Sequence, residues 1–157
     1  MRVITATPLS AEAFAPFGTV TQIPHATGLV SVDQAYDATS DAQIPVFQLM
    51  RTVTGPQPVA VRQLEQHPFS AQTFVTLSGA SSVIIVCETG PSGPEEATAR
   101  AFVCAPTQAV TYAKAVWHHR LTPLGDNAVF SMTMMHTGTG GDTVLQDLVE
   151  PFEVALP

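Results

Sequence analysis

The first of two short stretches that hold the side chains best suited to chemistry is "LEQHPFSAQTF". Glu65 and His67 stand two positions apart there, and residues two apart in an extended strand share a face. After a turn from Pro68 to Ala71, the returning strand can bring Gln72 beside them. With a further histidine from a later hairpin, this set predicts a site for a divalent metal such as nickel, zinc or manganese.

The second stretch, "AVWHHRLTPL", places Trp117 before two adjacent histidines in a strand-like context. Adjacent strand residues face opposite sides, so at most one of His118 and His119 enters the site. Trp117 is expected to pack in the core. A second interpretation stays open: the histidines are hydrogen-bonded packing residues without a metal, because Gln is a poor ligand beside Glu or His.

The chain has only 6 basic side chains, and a small anionic substrate must find one of them. Arg51 lies in an otherwise apolar strand, where an unpaired charge is costly, and is therefore predicted to bind a substrate carboxylate. Lys114 is a second substrate-binding candidate, four residues before His118. Arg120 flanks the same turn and is expected to face water.

Short apolar and β-branched runs, separated by Pro, Gly and polar turns, predict an all-β fold. The expected strands are Arg2–Ala6, Phe17–Ile23, Val46–Val53, Val59–His67, Gln72–Leu77, Ser82–Glu88, Ala101–Ala105, Ala109–Tyr112, His118–Leu124, Ala128–Met135 and Phe152–Leu156. One short helix is predicted after Ser10, which can cap it. No linker divides residues 1–157, so we expect a single domain, a closed barrel or double-sheet jelly roll that limits exposed sheet edges.

Two polar stretches are predicted to lie on the surface of this domain. The first, from Pro24 to Ala42, is long enough to close over the mouth of a barrel, and a plain surface excursion is an equal alternative. The second, "ETGPSGPEEATAR", is expected to be an irregular loop.

Composition excludes several classes of function. With 12% charged residues and a net charge of −7, the chain lacks the basic surface that nucleic acids require. No apolar run approaches the length of a membrane span, and the first residues alternate polar and apolar instead of forming a signal-peptide core. Cys87 and Cys104 lie in apolar strand-like runs and are expected to be reduced core residues. These features predict a cytoplasmic protein without a nucleic-acid or membrane partner.

Four segments also carry a family resemblance: "PLSAEAFAPFG", "LEQHPFSAQTFVTLSG", "ARAFVCAPTQAVTYAKAVWHHRLTPLG" and "GGDTVLQDL". In this order they resemble ureidoglycolate lyase, formerly called ureidoglycolate hydrolase. The resemblance implies a cupin barrel, a homodimer, and cleavage of ureidoglycolate to glyoxylate and urea in purine (allantoin) catabolism. It also implies that Glu65, His67, Gln72 and His118 are the metal ligands, with His119 supporting His118.

The resemblance further implies the roles of the catalytic residues. His118 or Glu65 would take the proton of the substrate hydroxyl, and Tyr112 would orient or protonate the leaving urea. Arg51, which matches an arginine of the family, would hold the carboxylate.

The chain departs from the family pattern at several polar positions. Thr27 and Ala35 stand where family members have Asn and Arg, and Met134 and Met135 replace a later Asp-Arg pair. These departures keep two alternatives open: a cupin that acts on another small hydroxy or keto acid, and a cupin that binds a small molecule without catalysis.

Overall fold

The computed structural model describes residues 1–157 as 13 strands and one short helix. In chain order the elements are β1 Arg2–Thr5, β2 Thr7–Pro8, α1 Ala11–Phe14, β3 Gly18–Gln22, β4 Ile44–Thr52, β5 Val59–Gln66, β6 Gln72–Thr76, β7 Ser81–Gly90, β8 Gly93–Cys104, β9 Gln108–Tyr112, β10 Trp117–His118, β11 Thr122–Leu124, β12 Ala128–His136 and β13 Val144–Ala155. The predicted all-β fold is confirmed. No helix of the structure is long and apolar enough to cross a membrane.

The strands form two sheets that face each other. The larger has the order β1-β13-β5-β10-β7-β8-β2, with β11 also paired to β7, and the smaller has the order β3-β9-β6-β12-β4. Most pairs are antiparallel, as expected when hairpins and short turns connect the strands. Strands β5 and β10 of the larger sheet and β6, β9 and β12 of the smaller one will supply the site.

The larger sheet carries a hydrophobic core on each of its two faces. Strand β7 shows this directly: Val83 and Ile85 belong to one buried cluster, and Ile84 and Val86 belong to the other. A strand buried on both faces reads as a continuous apolar run, which is why "VIIVC" does not alternate with polar residues. The cluster that contains Ile84 fills the space between the two sheets and continues to the site.

The N-terminal segment joins the two edges of the larger sheet. Strand β1 pairs in parallel with β13 at one edge, and β2 pairs in parallel with β8 at the other. Because β1 and β2 are consecutive, this segment closes the sheet around its own core and leaves no open edge there.

Helix α1 begins as predicted, because the Ser10 hydroxyl accepts a hydrogen bond from the backbone N–H of Ala13 at 3.2 Å. Its buried Phe14 lies 6.0 Å, between ring centroids, from each of Phe17, Phe102 and Tyr112. The helix therefore packs against the core between the sheets and covers one end of it.

The prediction of an irregular loop at "ETGPSGPEEATAR" is wrong. Strands β7 and β8 continue through this stretch as a long hairpin, with Gly90 paired to Gly93. Gly93 has a φ of +140°, and a Cβ there would collide with the side-chain amide of Gln146, so only glycine suits the position. Polar composition disguised these strands because their outer ends are solvent-exposed.

Residues 24–42 contain no regular strand, and their last part is fastened to the turn that precedes β6. Ala38 forms an isolated bridge with Ser70, and the backbone N–H of Thr39 donates to the carbonyl of Phe69 at 2.9 Å. Farther back, Leu29 is 91% exposed. Whether this segment moves as a lid stays a prediction.

Candidate metal and catalytic site

Two adjacent strands place the acid and the first histidine face to face. Glu65 of β5 and His118 of β10 are directly paired across the larger sheet. His67 follows at the end of β5, and its carbonyl accepts a hydrogen bond from the backbone N–H of Ala115 at 2.9 Å. Gln72, the first residue of β6, enters from the opposite sheet. Glu65, His67 and His118 therefore come together between the sheets, and Gln72 begins a strand of the facing sheet.

The distances in this cluster are short. One carboxylate oxygen of Glu65, Oε1, lies 3.4 Å from Nε2 of His118 and 3.9 Å from Nε2 of His67. The two imidazole ring centroids are 5.2 Å apart. Glu65, His67 and His118 can each offer one ligand atom, and these atoms lie within 4.8 Å of one another.

Hydrogen bonds to the main chain fix which ring nitrogen faces the centre. His118 Nδ1 lies 2.9 Å from the carbonyl of Val116, and His67 Nδ1 lies 3.1 Å from the carbonyl of Asp142. A carbonyl only accepts, so each neutral imidazole carries its proton on Nδ1 and points the lone pair of Nε2 at Glu65. Both Nε2 atoms are buried and have no hydrogen-bond partner.

The amide of Gln72 completes the same pattern. Its nitrogen lies 3.9 Å from the sulfur of Met134, while its buried Oε1 has no hydrogen-bond partner. Unpaired acceptors from Gln72, His67 and His118 thus lie in the same enclosed space as the Glu65 carboxylate. Such a convergence of lone pairs is unfavourable unless a cation sits between them.

The donor set and its spacing fit a divalent metal. With metal–nitrogen distances near 2.1 Å, tetrahedral ligands stand about 3.4 Å apart, close to the separations between Glu65 Oε1 and the two Nε2 atoms. Metal-bound histidines usually donate their other N–H to a carbonyl or carboxylate, as His67 and His118 do here. Glu65, His67 and His118 could hold such an ion.

The pKa shifts of Glu65 and His67 favour the protonation states that bind a metal. Burial raises the pKa of Glu65, but the neighbouring His118, with contributions from His67 and His119, outweighs it and holds that pKa below its usual range. Burial and the neighbouring His118 lower the pKa of His67. A charged carboxylate and a neutral imidazole are the forms that bind metals.

Tyr112 forms one wall of the site. Its ring stacks on His118 with centroids 4.1 Å apart and an interplanar angle of 14°, and it packs edge-on against Phe74 and Phe14. Burial raises the pKa of its hydroxyl, so Tyr112 keeps its proton throughout the neutral range. The ring holds the imidazole plane of His118 in place.

The two predicted substrate-binding cations lie away from this cluster. We expected Arg51 to be enclosed in an apolar strand, and this is wrong: its side chain is exposed on the outer face of β4 and donates to the carbonyl of Asn127. Odd-numbered residues of β4 point to solvent, while Val46 and Met50 pack against the core. The ammonium group of Lys114 is held by Asp37 at 2.6 Å. The structure therefore brings neither residue to the site.

A cavity of about 270 Å³ opens beside Glu65, and the cations that line it are not the two that were predicted to bind the substrate. It is bounded by Arg62, His119 and Arg120 as well as by Glu65. His119 does not hydrogen-bond to His118; its Nδ1 lies 3.0 Å from the Thr122 hydroxyl, and burial and Arg120 lower its pKa to about 4.

The prediction that Trp117 packs in the core is confirmed, because this residue is buried in the core of the larger sheet. Arg62 was missed because the alternation rule fails at the bulge in the pairing of β5 with β13, whereas Arg120 is exposed, as expected, and also lines the cavity.

The methionines that replace a polar pair in the family pattern have different surroundings. Met134 is 2% exposed and contacts Gln72 within the site, whereas Met135 is only partly buried. Thr27 lies on the exposed part of the 24–42 segment. The apolar wall at Met134 is thus the departure that touches the cluster directly.

Two facing, mostly antiparallel sheets with a Glu and two His converging between them define a double-sheet β-domain with a candidate metal site. Among solved structures, oxalate decarboxylase from Bacillus subtilis aligns with a TM-score of 0.44 and 18% identity over 68% of this chain and 24% of its own length. This chain therefore spans about a quarter of that protein.

The family follows from the sequence comparisons. The model of the ureidoglycolate lyase family matches residues 1–154. A protein of Agrobacterium fabrum, provisionally named as a ureidoglycolate lyase, is 49% identical over 98% of this chain and 96% of its own length. The ureidoglycolate lyase of Mesorhizobium japonicum is 33% identical over the full length of both chains. This chain belongs to the ureidoglycolate lyase family.

Proposed function

We propose that this protein is a lyase that cleaves ureidoglycolate to glyoxylate and urea. The observation that carries the proposal is the convergence of unpaired lone pairs from His67, His118 and Gln72 with the Glu65 carboxylate, at one end of a cavity that a small molecule can enter. Membership of the ureidoglycolate lyase family supplies the substrate.

The reaction is an elimination at the carbon that bears both the hydroxyl and the urea nitrogen. The hydroxyl loses its proton, the oxygen forms the carbonyl of glyoxylate, the carbon–nitrogen bond breaks, and the urea nitrogen takes up a proton. The site must therefore supply a base, an acid and stabilisation of the developing carbonyl oxygen.

Glu65 and Tyr112 are the candidates for the two proton transfers. Glu65 contacts both histidines through Oε1, and its carboxylate also borders the cavity, so its second oxygen is available to take the hydroxyl proton. His118 is fully buried behind it, would be a ligand of the metal, and helps to keep the carboxylate charged. Tyr112 retains its proton, and the family resemblance makes it the candidate donor to the leaving nitrogen.

A divalent metal such as nickel, zinc or manganese, held by Glu65, His67, Gln72 and His118, would supply Lewis-acid stabilisation of the substrate oxygen. The unpaired acceptors of the cluster support its presence. The carboxylate of the substrate stays outside the ligand set and needs a cation of its own.

The proposal extends to the cellular setting. We place the protein in the cytoplasm, in the breakdown of purines through allantoin. Two buried free thiols, Cys87 and Cys104, support a reducing compartment.

We also propose a homodimer. Strand β4 is an edge of the smaller sheet, is nine residues long and exposes Phe47 and Leu49, which are 68% and 65% accessible. A second copy would cover this edge in a two-fold arrangement. Phe47→Glu should then lower the molar mass measured by light scattering on a sizing column. A wild-type protein that runs as a monomer would contradict the dimer.

The activity is tested by following urea release from racemic ureidoglycolate, with and without nickel, zinc or manganese, against the uncatalysed rate. Metal-dependent release of one enantiomer is the expected result. Release that survives complete metal removal would keep the lyase and eliminate the metal. No release under any condition would refute the proposed reaction and direct attention to other small hydroxy acids, which the apolar wall at Met134 would accommodate.

A further inference from the structure

The cavity beside Glu65 is a ready-made binding site for a small molecule. Its lining includes Arg62, Arg120, Glu65, His119 and Leu145. A second cavity of about 490 Å³ adjoins it and shares His119 and Arg120. Together they form a groove that runs from Glu65 toward the loop between β4 and β5.

The two arginines in this groove differ from every other cation in the chain. Each of the other four basic side chains contacts a carbonyl, a carboxylate or an aromatic ring: Arg2, Arg51, Arg100 and Lys114. The side chains of Arg62 and Arg120 have no hydrogen bond, ion pair or aromatic contact within the chain, and both residues are exposed. In a protein of net charge −7 with only 6 cations, two unpaired guanidinium groups on one cavity are available to a ligand.

The charges of the groove also determine the orientation in which a ligand binds. The Glu65 carboxylate lines the same cavity, where it repels another carboxylate and accepts a hydrogen bond from a hydroxyl. Arg62 and Arg120 do the opposite, since a guanidinium donates two parallel hydrogen bonds to a carboxylate. A short 2-hydroxy acid fits this polarity with its carboxylate on the arginines and its hydroxyl toward Glu65.

We propose that Arg62 and Arg120 form the carboxylate-binding site of this enzyme, in place of Arg51. This inference rests on the proposed function for the identity of the substrate, but the cavity and its unpaired cations are independent of it. The arginines contact a part of the substrate that does not react, so they contribute to binding in the ground state and the transition state alike.

Steady-state kinetics of Arg62→Gln, Arg120→Gln and the double variant test the site. Both side chains are exposed, so thermal melts of the variants should match the wild type. We expect each single substitution to raise KM about tenfold and the double substitution about a hundredfold, with kcat changed less than about threefold, as for loss of uniform binding. Unchanged KM in the double variant, or a comparable rise in KM for Arg51→Gln alone, would overturn the inference.

A binding measurement separates this inference from the reaction itself. Glycolate and its neutral amide, glycolamide, are titrated into the metal-loaded wild type and double variant by calorimetry. The double variant should lose glycolate affinity about a hundredfold and keep the weaker glycolamide affinity. If the wild type releases no urea but shows this arginine-dependent glycolate binding, the anion site stands and the lyase function fails. If it releases urea but does not distinguish the two ligands, the lyase stands and the anion site is refuted.

Discussion

The Glu65→Gln variant tests the central feature of the site with two effects of opposite sign. In the metal-free wild type, the Nε2 atoms of His67 and His118 are buried acceptors that face an ionised carboxylate. The amide introduced by Glu65→Gln can donate a hydrogen bond to one of them. We therefore expect the metal-free variant to be more stable than the metal-free wild type, while its response to metal is weaker because a charged ligand is gone.

The size of both effects can be worked out from the contacts. One new hydrogen bond to Nε2 of His118, which lies 3.4 Å from Glu65, contributes about 0.5–1.5 kcal/mol. For a domain of this size that corresponds to a rise in Tm of about 1–5 °C. Metal at a hundred times its Kd stabilises the wild type by about 2.7 kcal/mol, and a tenfold loss of affinity in the variant removes about 1.4 kcal/mol of this.

Thermal melts at pH 8, with chelator or with nickel, zinc or manganese, provide the assay, since ordinary imidazoles are neutral at that pH. Glu88→Gln is the matched control, because Glu88 is an exposed glutamate of the neighbouring strand β7 whose carboxylate forms no ion pair. Equal metal-induced shifts in Glu65→Gln and the wild type would show that Glu65 is not a ligand. A metal-free variant less stable than the wild type would refute the convergence of lone pairs.

Three further predictions follow from the surroundings of individual side chains. Burial lowers the pKa of His119 to about 4, so between pH 6.5 and 4 the unfolded chain binds a proton that the folded chain does not, and acid removes about 3 kcal/mol of stability. His119→Gln should flatten this loss in denaturant titrations; an unchanged slope would place the acid sensitivity elsewhere. Tyr112→Phe keeps the ring on His118, so the metal-induced Tm shift should persist while kcat falls about a hundredfold, and an unaltered kcat would exclude the hydroxyl from proton transfer. Burial raises the pKa of the Cys87 and Cys104 thiols to about 12 and 11, so iodoacetamide should label them only in denaturant, as read by mass spectrometry; rapid labelling of the native protein would contradict this burial.

Most strands were predictable because apolar periodicity reports burial. The core strands β5, β7, β9 and β12 lie where hydrophobic runs placed them, within a few residues. The prediction failed where strands leave the core: the outer halves of β7 and β8 form a hairpin of polar residues, and β13 begins at Val144 rather than Phe152. Backbone hydrogen bonds to the neighbouring strand hold these segments, and such bonds cannot be recognised from the amino-acid composition of the segment.

The ligand cluster was predictable for a similar reason. Residues two apart share a face, so Glu65 and His67 had to point the same way, and a short turn had to return Gln72 to the same end of the fold. The anion-binding residues were not predictable, because the side on which Arg51 and Arg62 emerge depends on which face of each strand is covered and on a bulge beside β5. A shift of one residue in the pairing register moves every side chain of a strand to the other face of the sheet.

The pairing of β5 with β10 places the Glu65 carboxylate between two sites of opposite charge preference, the metal cluster and the arginine-lined cavity. Glu65 faces two imidazole lone pairs on its inner side, where a cation is needed, and borders a cavity with two guanidinium groups on its outer side, where an anion is needed. A substrate that carries both a hydroxyl and a carboxylate fits these charges in only one orientation, with its hydroxyl toward Glu65 and its carboxylate on the arginines. Because Glu65 is charged and fixed by its pairing with His118, it separates the two subsites and sets the direction in which the substrate binds.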